Sequence, residues 1–304
     1  MIVCIGAFDG YHIGHLSLFE KAREMSIAKN TDWRIITFHP HPRSVLGGTH
    51  NLLFTGDDKA LLRSLLNIPE PIRIPFSLEF AATAPSEFLA QVREKMNVEG
   101  IVVGENFRFG KNRTGDGEFL REYCSRTGID LALMPSKITP DGETISSTRI
   151  REMVRTGCVD HAAALLSYTY FIRSEVEHGQ KRGHSLGYPT ANIAPGVKKL
   201  IPAEGVYAAA MFVEGTVYPA AVSVGTNPTF GELETPRIEA HAIGFSGDLY
   251  SQRPVVAFLK YIRPMKKFGG ESELSAQLKC DCEQTVEIYG RSGKQLEAFS
   301  SLVK

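Results

Sequence analysis

The sequence predicts two domains: an α/β domain built on a parallel sheet, followed by an antiparallel β-barrel or sandwich domain that ends in a helix. Its 304 residues, 43% of them hydrophobic, are about twice a typical domain length. The first half alternates strand-like apolar runs with segments of helical period, which is typical of a parallel sheet covered by helices. The second half changes to short β-rich runs separated by glycine, proline and asparagine.

The expected elements of the first half follow in chain order. Strands are expected at Ile2–Ile5, Arg34–Phe38, Ile72–Phe76, Ile101–Val103 and Leu131–Met134, and helices at Leu16–Ala28, Lys59–Leu66, Ser86–Met96 and Glu118–Thr127. A helical connector is expected from Thr148 to Leu166, so we assign the two domains to residues 1–166 and 167–304. Because ligands of open parallel sheets bind beyond the carboxyl ends of the strands, segments directly after strands are the candidate sites.

The expected elements of the second half are mostly strands. They lie at Tyr170–Val176, Val206–Phe212, Val217–Val224, Arg237–Ile243 and Val255–Tyr261, and a final helix runs from Glu271 to about Ile288. With about 140 residues, this half is long enough to bury a core and fold alone.

Composition argues against several classes of protein. Lys+Arg and Asp+Glu are balanced at 34 each, so we expect no nucleic-acid partner. The cysteines are odd in number and include no C-x-x-C pair, which favours a reducing, cytoplasmic location over a disulfide framework or a zinc site. The run from Met1 to Gly6 is too short and uncharged for a signal peptide, and no stretch approaches ~18 uninterrupted apolar residues, so we expect no membrane partner.

A glycine-rich turn, G-A-F-D-G-Y-H-I-G-H at residues 6–15, comes directly after the first expected strand and opens the first helix. Its glycines permit close backbone approach, and the helix N-terminus presents N–H groups and a positive dipole end to an anion. His12 and His15 share one face there and can donate hydrogen bonds to a phosphate whose charge rises during displacement. The turn therefore predicts a phosphate site with both histidines as catalytic residues. Its ATP-binding residues are predicted to be Gly6, Phe8, Asp9 and Gly14.

Two later segments add to this site. Residues 104–111, G-E-N-F-R-F-G-K, follow a strand and superficially match a P-loop. We reject a P-loop, because five residues separate the glycines and Asn112 stands where Ser or Thr would bind magnesium. In I-S-S-T-R-I-R, residues 145–151, hydroxyls at a helix start can cap N–H groups or reach a phosphate, and the arginines can face polyphosphate.

These segments, in this order and spacing, resemble those of the bacterial bifunctional riboflavin kinase/FMN adenylyltransferase family, also called FAD synthetase. T-F-H-P-H-P at residues 37–42 is similar to that family's loop after the second strand. H-I-G-H is also similar to the signature of class I aminoacyl-tRNA synthetases, but no K-M-S-K-S-like segment occurs here. The resemblance implies a Rossmann-like nucleotidyltransferase domain, in which Ala7 departs from the usual Thr or Asn. It implies that ATP and flavin phosphate are held by His12, His15, Asn106, Ser147, Thr148 and Arg151.

The second half carries G-H-S-L-G-Y-P-T-A-N at residues 183–192. Its glycines and proline prescribe a defined turn, and Thr190 and Asn192 supply neutral oxygens of the kind that Mg²⁺ accepts beside nucleotide phosphates. G-x-P-T-A-N resembles the most diagnostic string of riboflavin kinases, although His184 stands where that family usually has arginine. The resemblance implies an antiparallel β-barrel kinase domain with a terminal helix. It implies ATP and flavin binding at Gly183, Gly187, Pro189, Thr190 and Asn192.

Further strings resemble that kinase domain in the same order: G-V-Y at 205–207, G-T-N-P-T-F at 225–230, R-I-E-A-H at 237–241 and G-D-L-Y at 247–250. Glu239 lies in an alternating run, where a carboxylate among apolar neighbours can face a cleft and accept a hydroxyl proton. The resemblance implies that Glu239 is the general base toward the ribityl 5′-hydroxyl. His241, on the same strand face, is interpreted as a packing or hydrogen-bonding residue.

Together the motifs predict two reactions. Riboflavin and ATP give FMN and ADP in the C-terminal domain, and FMN and ATP give FAD and pyrophosphate in the N-terminal domain. The implied cofactor is Mg²⁺ with ATP, with FMN and FAD as product ligands; the partners are the small molecules riboflavin, FMN and ATP. Two alternatives stay open: an enzyme that retains one activity, given Ala7 and His184, and a flavin-binding regulatory protein without turnover. Intact His12, His15 and Glu239 argue against the second.

Overall fold

The computed structural model describes residues 1–47, 51–177, 188–196, 199–226 and 236–303. The chain forms two compact units, each with its own sheet. The first unit comprises Met1–Asn51 and Asn67–Ser147, and the second comprises Leu52–Leu66 and Thr148–Lys304.

The first unit is a parallel sheet with helices. Its strands are β1 (Ile2–Ile5), β2 (Trp33–His39), β3 (Ile72–Pro75), β4 (Gly100–Gly104) and β5 (Asp130–Met134). Its helices are α1 (Ile13–Ala28), α2 (Pro42–Val45), α4 (Leu78–Ala81), α5 (Pro85–Met96) and α6 (Gly117–Thr127), with a short 3-10 turn at Lys111–Arg113. The strands pair in parallel in the order β3-β2-β1-β4-β5, which confirms the α/β class.

Local chemistry sets these elements. All four residues of β1 are buried, as expected for a central strand covered on both faces. Asp116 caps the start of helix α6, where its carboxylate accepts hydrogen bonds from the backbone N–H groups of Glu118 and Phe119, and Gly128 caps the end with a left-handed φ of 69°. The strand order reverses between β1 and β4, so the carboxyl ends of these two strands flank the crevice where such sheets bind ligands.

The second unit is antiparallel. Its strands are β6 (Phe171–Arg173), β7 (Val176–Glu177), β8 (Ala191–Ile193), β9 (Gly205–Val213), β10 (Thr216–Thr226), β11 (Pro236–Ala242) and β12 (Val255–Arg263). Its helices are α3 (Gly56–Leu65), α7 (Ser147–Arg155), α8 (Val159–Leu166), α9 (Glu271–Gly290) and α10 (Gly293–Leu296), followed by a 3-10 helix at Glu297–Leu302. The first residue of α7 belongs to the first unit.

The antiparallel sheet curls as a barrel does. Its order is β6-β12-β9-β10-β11-β8-β7, so β6 and β7 lie at opposite edges. They are nevertheless separated by only Ser174 and Glu175, which brings the two edges close together. Helix α9 packs on β9, β10 and β12. The expected β-barrel with a terminal helix is confirmed.

The compact units differ from the expected division into residues 1–166 and 167–304. Residues 52–66 pack with the C-terminal unit, because the ring of Phe54 lies against Tyr168, Tyr170 and Phe171 with centroids 5.0–5.8 Å apart. Helices α7 and α8 also belong to that unit apart from Ser147, and α8 packs on β12. The assignment of residues 1–166 and 167–304 to separate functional domains stays a prediction.

Across the part of the chain that the structure describes, no helix is both long and apolar enough to cross a membrane.

Candidate functional site

The turn between β1 and α1 has glycines where aromatic rings come close. A Cβ at Gly6 would lie 2.7 Å from the ring of Phe8, nearer than real Cβ atoms approach. A Cβ at Gly14 would lie 3.2 Å from the ring of His12. Phe8 and Tyr11 adopt positive φ values of 47° and 29°, which side-chain-bearing residues rarely do. Close contacts within the turn therefore help to define its backbone path.

The two histidines meet at the N-terminus of α1. Their rings stack with centroids 3.6 Å apart and an interplanar angle of 21°. His12 is 5% exposed and occupies the cap position, but its side chain does not cap the helix. The first turn of α1 contains no acidic residue, and the positive dipole end of a helix favours an anion. Two stacked histidines at the positive end of a helix form a site that suits a phosphate group.

Asn106 follows β4 at the same sheet edge as the turn, because β1 and β4 are adjacent and parallel. The preceding Glu105 is fixed by the backbone N–H of Ser136, which donates to its carboxylate at 2.8 Å and lowers the pKa of that carboxyl. A Cβ at Gly104 would lie 3.2 Å from the amide oxygen of Asn106. Exposed Asn106 thus lies on a short, anchored loop.

Ser147 is tied to the same turn, since its hydroxyl donates to the backbone oxygen of Asp9 at 2.8 Å. Thr148 and Arg151 lie in the following turns of α7, in the part that belongs to the second unit, and Arg151 is 5% exposed. The structure therefore brings Ser147 to the turn, whereas ATP contacts of Thr148 and Arg151 stay predictions.

A group of phenylalanines lies at this sheet edge, and the sequence motifs included only one of them, Phe38. Phe38 is near the end of β2, Phe76 directly follows β3, and Phe80 is in α4; their ring centroids are 5.7–6.1 Å apart. All three side chains are half-buried. The signal available in the sequence was an aromatic residue at the end of each of two neighbouring strands. Half-buried rings of this kind can contact a planar aromatic ligand.

The predicted kinase residues meet through strand register. Glu239 of β11 and Asn192 of β8 are direct antiparallel partners. Direct partners present their side chains on one face with Cβ atoms ~4.5–5.5 Å apart. Thr190 lies two residues before Asn192, directly ahead of β8. All three side chains are half-buried, whereas Ile238 is buried on the opposite face.

His241 fixes the segment that carries Thr190. Its Nδ1 lies 2.8 Å from the backbone oxygen of Pro189, and its ring meets Tyr188 edge-on with centroids 5.4 Å apart. His241 thus has the hydrogen-bonding place expected for it. Gly183, His184 and Gly187, together with residues 227–230 of the G-T-N-P-T-F string, lie outside the described residues.

Within the described ranges, no group of three or more His, Cys, Asp or Glu side chains could hold a metal ion. The neutral oxygens available in this region are instead the amide of Asn192, which is paired with Glu239, and the hydroxyl of Thr190 directly ahead of β8. Mg²⁺ keeps several waters and binds few protein groups when it accompanies nucleotide phosphates, so this donor set fits it.

A parallel sheet with a phosphate-binding turn and a curled antiparallel sheet with a carboxylate–amide pair define an enzyme with two nucleotide-dependent transfer sites. The FAD synthetase family model matches residues 1–149, and the riboflavin kinase model matches residues 166–289. The chain belongs to the bifunctional riboflavin kinase/FMN adenylyltransferase family, whose activities make FMN from riboflavin and FAD from FMN with ATP.

Relatives match over nearly the whole chain. The bifunctional riboflavin kinase/FMN adenylyltransferase of Bacillus subtilis (strain 168) is 32% identical over 298 residues, which cover 96% of this chain and 94% of the relative. The enzyme of the same name from Listeria monocytogenes is 31% identical over 293 residues, with 95% and 93% covered. A crystal structure of a macrolide-efflux protein from Streptococcus pneumoniae is similar with a TM-score of 0.87 and 32% identity, covering 94% of this chain and 93% of that one.

Proposed function

We propose that residues 167–304 phosphorylate riboflavin at Glu239, Thr190 and Asn192, and that residues 1–166 adenylylate FMN at the histidine-containing turn. The observation that carries the kinase half is the direct cross-strand pairing of Glu239 with Asn192. This pairing supports the proposal because a carboxylate that can accept a proton and an amide oxygen that can bind Mg²⁺ are then neighbours on a half-buried face.

In the kinase reaction, the ribityl 5′-hydroxyl oxygen forms a bond to the γ-phosphorus of ATP while the bond from that phosphorus to the ADP oxygen breaks. Glu239 accepts the hydroxyl proton. Thr190 and Asn192 would hold Mg²⁺ together with the ATP phosphates, and the ion would neutralise phosphate charge. His241 keeps Pro189 and therefore the adjacent Thr190 in place. Positioning and charge stabilisation supply most of the rate in such transfers.

In the adenylyl transfer, a phosphate oxygen of FMN forms a bond to the α-phosphorus of ATP, and pyrophosphate leaves. His12 and His15 donate hydrogen bonds to phosphate oxygens whose charge rises. We assign the surrounding ATP contacts to Gly6, Phe8, Asp9, Gly14, Asn106, Ser147, Thr148 and Arg151. The phenylalanine group at the same edge supports binding of the isoalloxazine ring.

We also propose a cytoplasmic enzyme without a nucleic-acid or membrane partner. The balanced charge of 34 basic and 34 acidic residues and the absence of C-x-x-C pairs support this location and partner set.

Replacing Glu239 with glutamine tests the assignment. Glu239→Gln keeps shape and hydrogen bonding but cannot accept the proton, so FMN formation from riboflavin should fall about 10²–10⁴-fold. FAD formation from supplied FMN should persist. Both products are measured chromatographically after incubation with Mg·ATP.

The matched control is Glu177→Gln. Glu177 pairs with Asn192 from the other side, on strand β7, and is exposed. The Glu177→Gln substitution should leave FMN formation from riboflavin near normal. If Glu177→Gln abolished the kinase activity while Glu239→Gln did not, the base would be Glu177; if FAD formation failed along with FMN formation, the two-site assignment would be wrong.

A further inference from the structure

A bidentate ion pair joins the end of β12 to helix α9. Arg263 donates from Nε and Nη2 to the two carboxylate oxygens of Asp281 at 2.9 and 2.6 Å. Gln277, one turn earlier in α9, also donates to Asp281 at 2.9 Å. The Asp281 side chain is 2% exposed. Because both prongs of a planar guanidinium are engaged, this pair fixes the direction of the helix as well as its distance.

Arg263 lies in the same row of paired residues as the proposed kinase residues. It pairs with Val206 of β9, Val206 pairs with Ser223 of β10, and Ser223 pairs with Glu239. Beyond Glu239 the row continues to Asn192 of β8 and Glu177 of β7. Three strand spacings of ~4.8 Å place the backbone of Arg263 about 14 Å from that of Glu239 along the sheet.

A β-bulge puts Arg263 in this position. The register shifts between Tyr261 and Arg263, so that Arg263 rather than Ile262 opposes Val206. Bulges commonly re-aim a side chain near a site.

The same guanidinium holds the segment that leaves β12. Its Nη1 donates to the backbone oxygen of Pro264 at 3.0 Å, and its carbon lies 5.8 Å from the ring centre of Phe268. Met265, which follows Pro264, lies near Gly225. A Cβ added to Gly225 would lie 3.6 Å from the methionine methyl group. Gly225 in turn pairs with Arg237, two residues before Glu239.

Helix α9 covers one half of this row. Phe212 shares the face of Val206, since the two residues are six apart on a regular strand, and Phe212 stacks on Phe299 of the C-terminal 3-10 helix. This is therefore the face on which the C-terminal helices pack, and α9 packs on β9, β10 and β12. Glu239 lies on β11, the strand next to β10, and is half-buried. The helix thus borders the proposed kinase cleft.

We propose that Arg263 is a positioning residue of the kinase reaction. Through Asp281 and the oxygen of Pro264 it holds α9 and the residue 264–270 segment against the row that presents Glu239 and Asn192. The side of the cleft that receives riboflavin is thereby fixed in place. This inference rests on the proposed kinase site.

The test removes the charges without leaving one unpaired. Either single substitution to an apolar residue would bury an uncompensated charge, whereas replacing both partners of a buried ion pair with apolar residues is often neutral for stability. The double variant Arg263→Met/Asp281→Leu should therefore keep the wild-type melting temperature. Because an apolar contact does not fix direction, we expect its KM for riboflavin to rise at least tenfold, while FAD formation from supplied FMN stays unchanged.

Two further variants complete the experiment. Arg263→Lys keeps the positive charge but loses the bidentate hydrogen bonding to Asp281. We therefore expect a wild-type melting temperature and a smaller rise in the KM for riboflavin, about three- to tenfold. The control Glu287→Gln, on α9, breaks an exposed ion pair with Arg291 at the end of that helix and should change neither quantity.

The outcomes separate this inference from the kinase-site assignment. If Glu239→Gln abolishes FMN formation but the folded double variant retains the wild-type riboflavin KM, Arg263 has a structural role only. If the double variant does not fold, the Arg263→Lys variant tests the proposal in its place. An unchanged KM for riboflavin in Arg263→Lys then overturns the proposal. If Glu239→Gln leaves FMN formation normal, it is the kinase site itself that is misassigned.

Discussion

The two candidate sites differ in how the chain assembles them. The adenylyltransferase turn is one run of ten residues with close contacts inside it, such as Gly14 against the ring of His12, and Ser147 donates to its Asp9 backbone oxygen from outside the run. The kinase site joins Asn192 to Glu239, far apart in the sequence, through the register of β8 and β11. A contiguous turn keeps its catalytic residues adjacent through the chain itself. An assembled site depends on everything that holds its strands in place.

Lys199 gives the sharpest test of that dependence. It follows β8, is 2% exposed, and donates to the Asp58 carboxylate at 2.9 Å and to the Leu53 backbone oxygen at 2.8 Å. The ring of Phe54 lies 4.1 Å from its ammonium group. Asp58→Asn leaves this buried cation without its counter-charge, so we expect a loss of about 3–5 kcal/mol in unfolding free energy. Urea unfolding followed by circular dichroism measures the loss.

The neighbouring Asp57 supplies the control. Its partner is Arg253, and both side chains are exposed, at 65% and 46%. Exposed pairs contribute about 0–1 kcal/mol, so Asp57→Asn should unfold almost as the wild type does. If Asp58→Asn lowered the unfolding free energy no more than Asp57→Asn does, the buried pair would not stabilise the second unit. In Asp58→Asn, FMN formation should also be lost at lower urea concentration than FAD formation, because only the second unit contains the pair.

Residues 52–66 also show where prediction from sequence stops. The helical period at Lys59–Leu66 predicted a helix, and α3 spans Gly56–Leu65. Periodicity shows which face of a helix is buried but not which unit covers it, and therefore the packing of Phe54 and Asp58 was not predicted. We consequently expect residues 167–304 expressed alone to be less stable than the same residues in the full chain.

The sites divide in the same way. The strand, turn and helix around His12 and His15 are contiguous, so their arrangement followed from the sequence pattern. The residue types at Thr190, Asn192 and Glu239 were predicted, but their pairing was not, because register depends on strand contacts distant in the chain. The bulge that places Arg263 opposite Val206 carries no local signature for the same reason.

His15→Ala tests the contiguous site. The substitution removes one donor from the phosphate site at the start of α1, and loss of such a donor costs about 10²–10³ in rate. FAD formation from FMN should fall by that factor, and FMN formation from riboflavin should barely change. Both rates are measured separately with Mg·ATP. A parallel fall in both rates would contradict the separation of the two sites.

The smallest effect is expected from Gly14→Ala, which changes only the spacing within the turn. The new methyl group would lie 3.2 Å from the His12 ring, which is 5% exposed and stacked on His15, so the ring must shift. We expect FAD formation to slow about tenfold, because small misplacements of catalytic groups are costly. Stability should not fall, since alanine favours the helix by about 1 kcal/mol over glycine.

Gly117→Ala is the control, because its methyl group meets the flexible end of Leu133 at the same 3.2 Å. If both variants formed FAD at the wild-type rate, the close contact of Gly14 with His12 would have no role in catalysis.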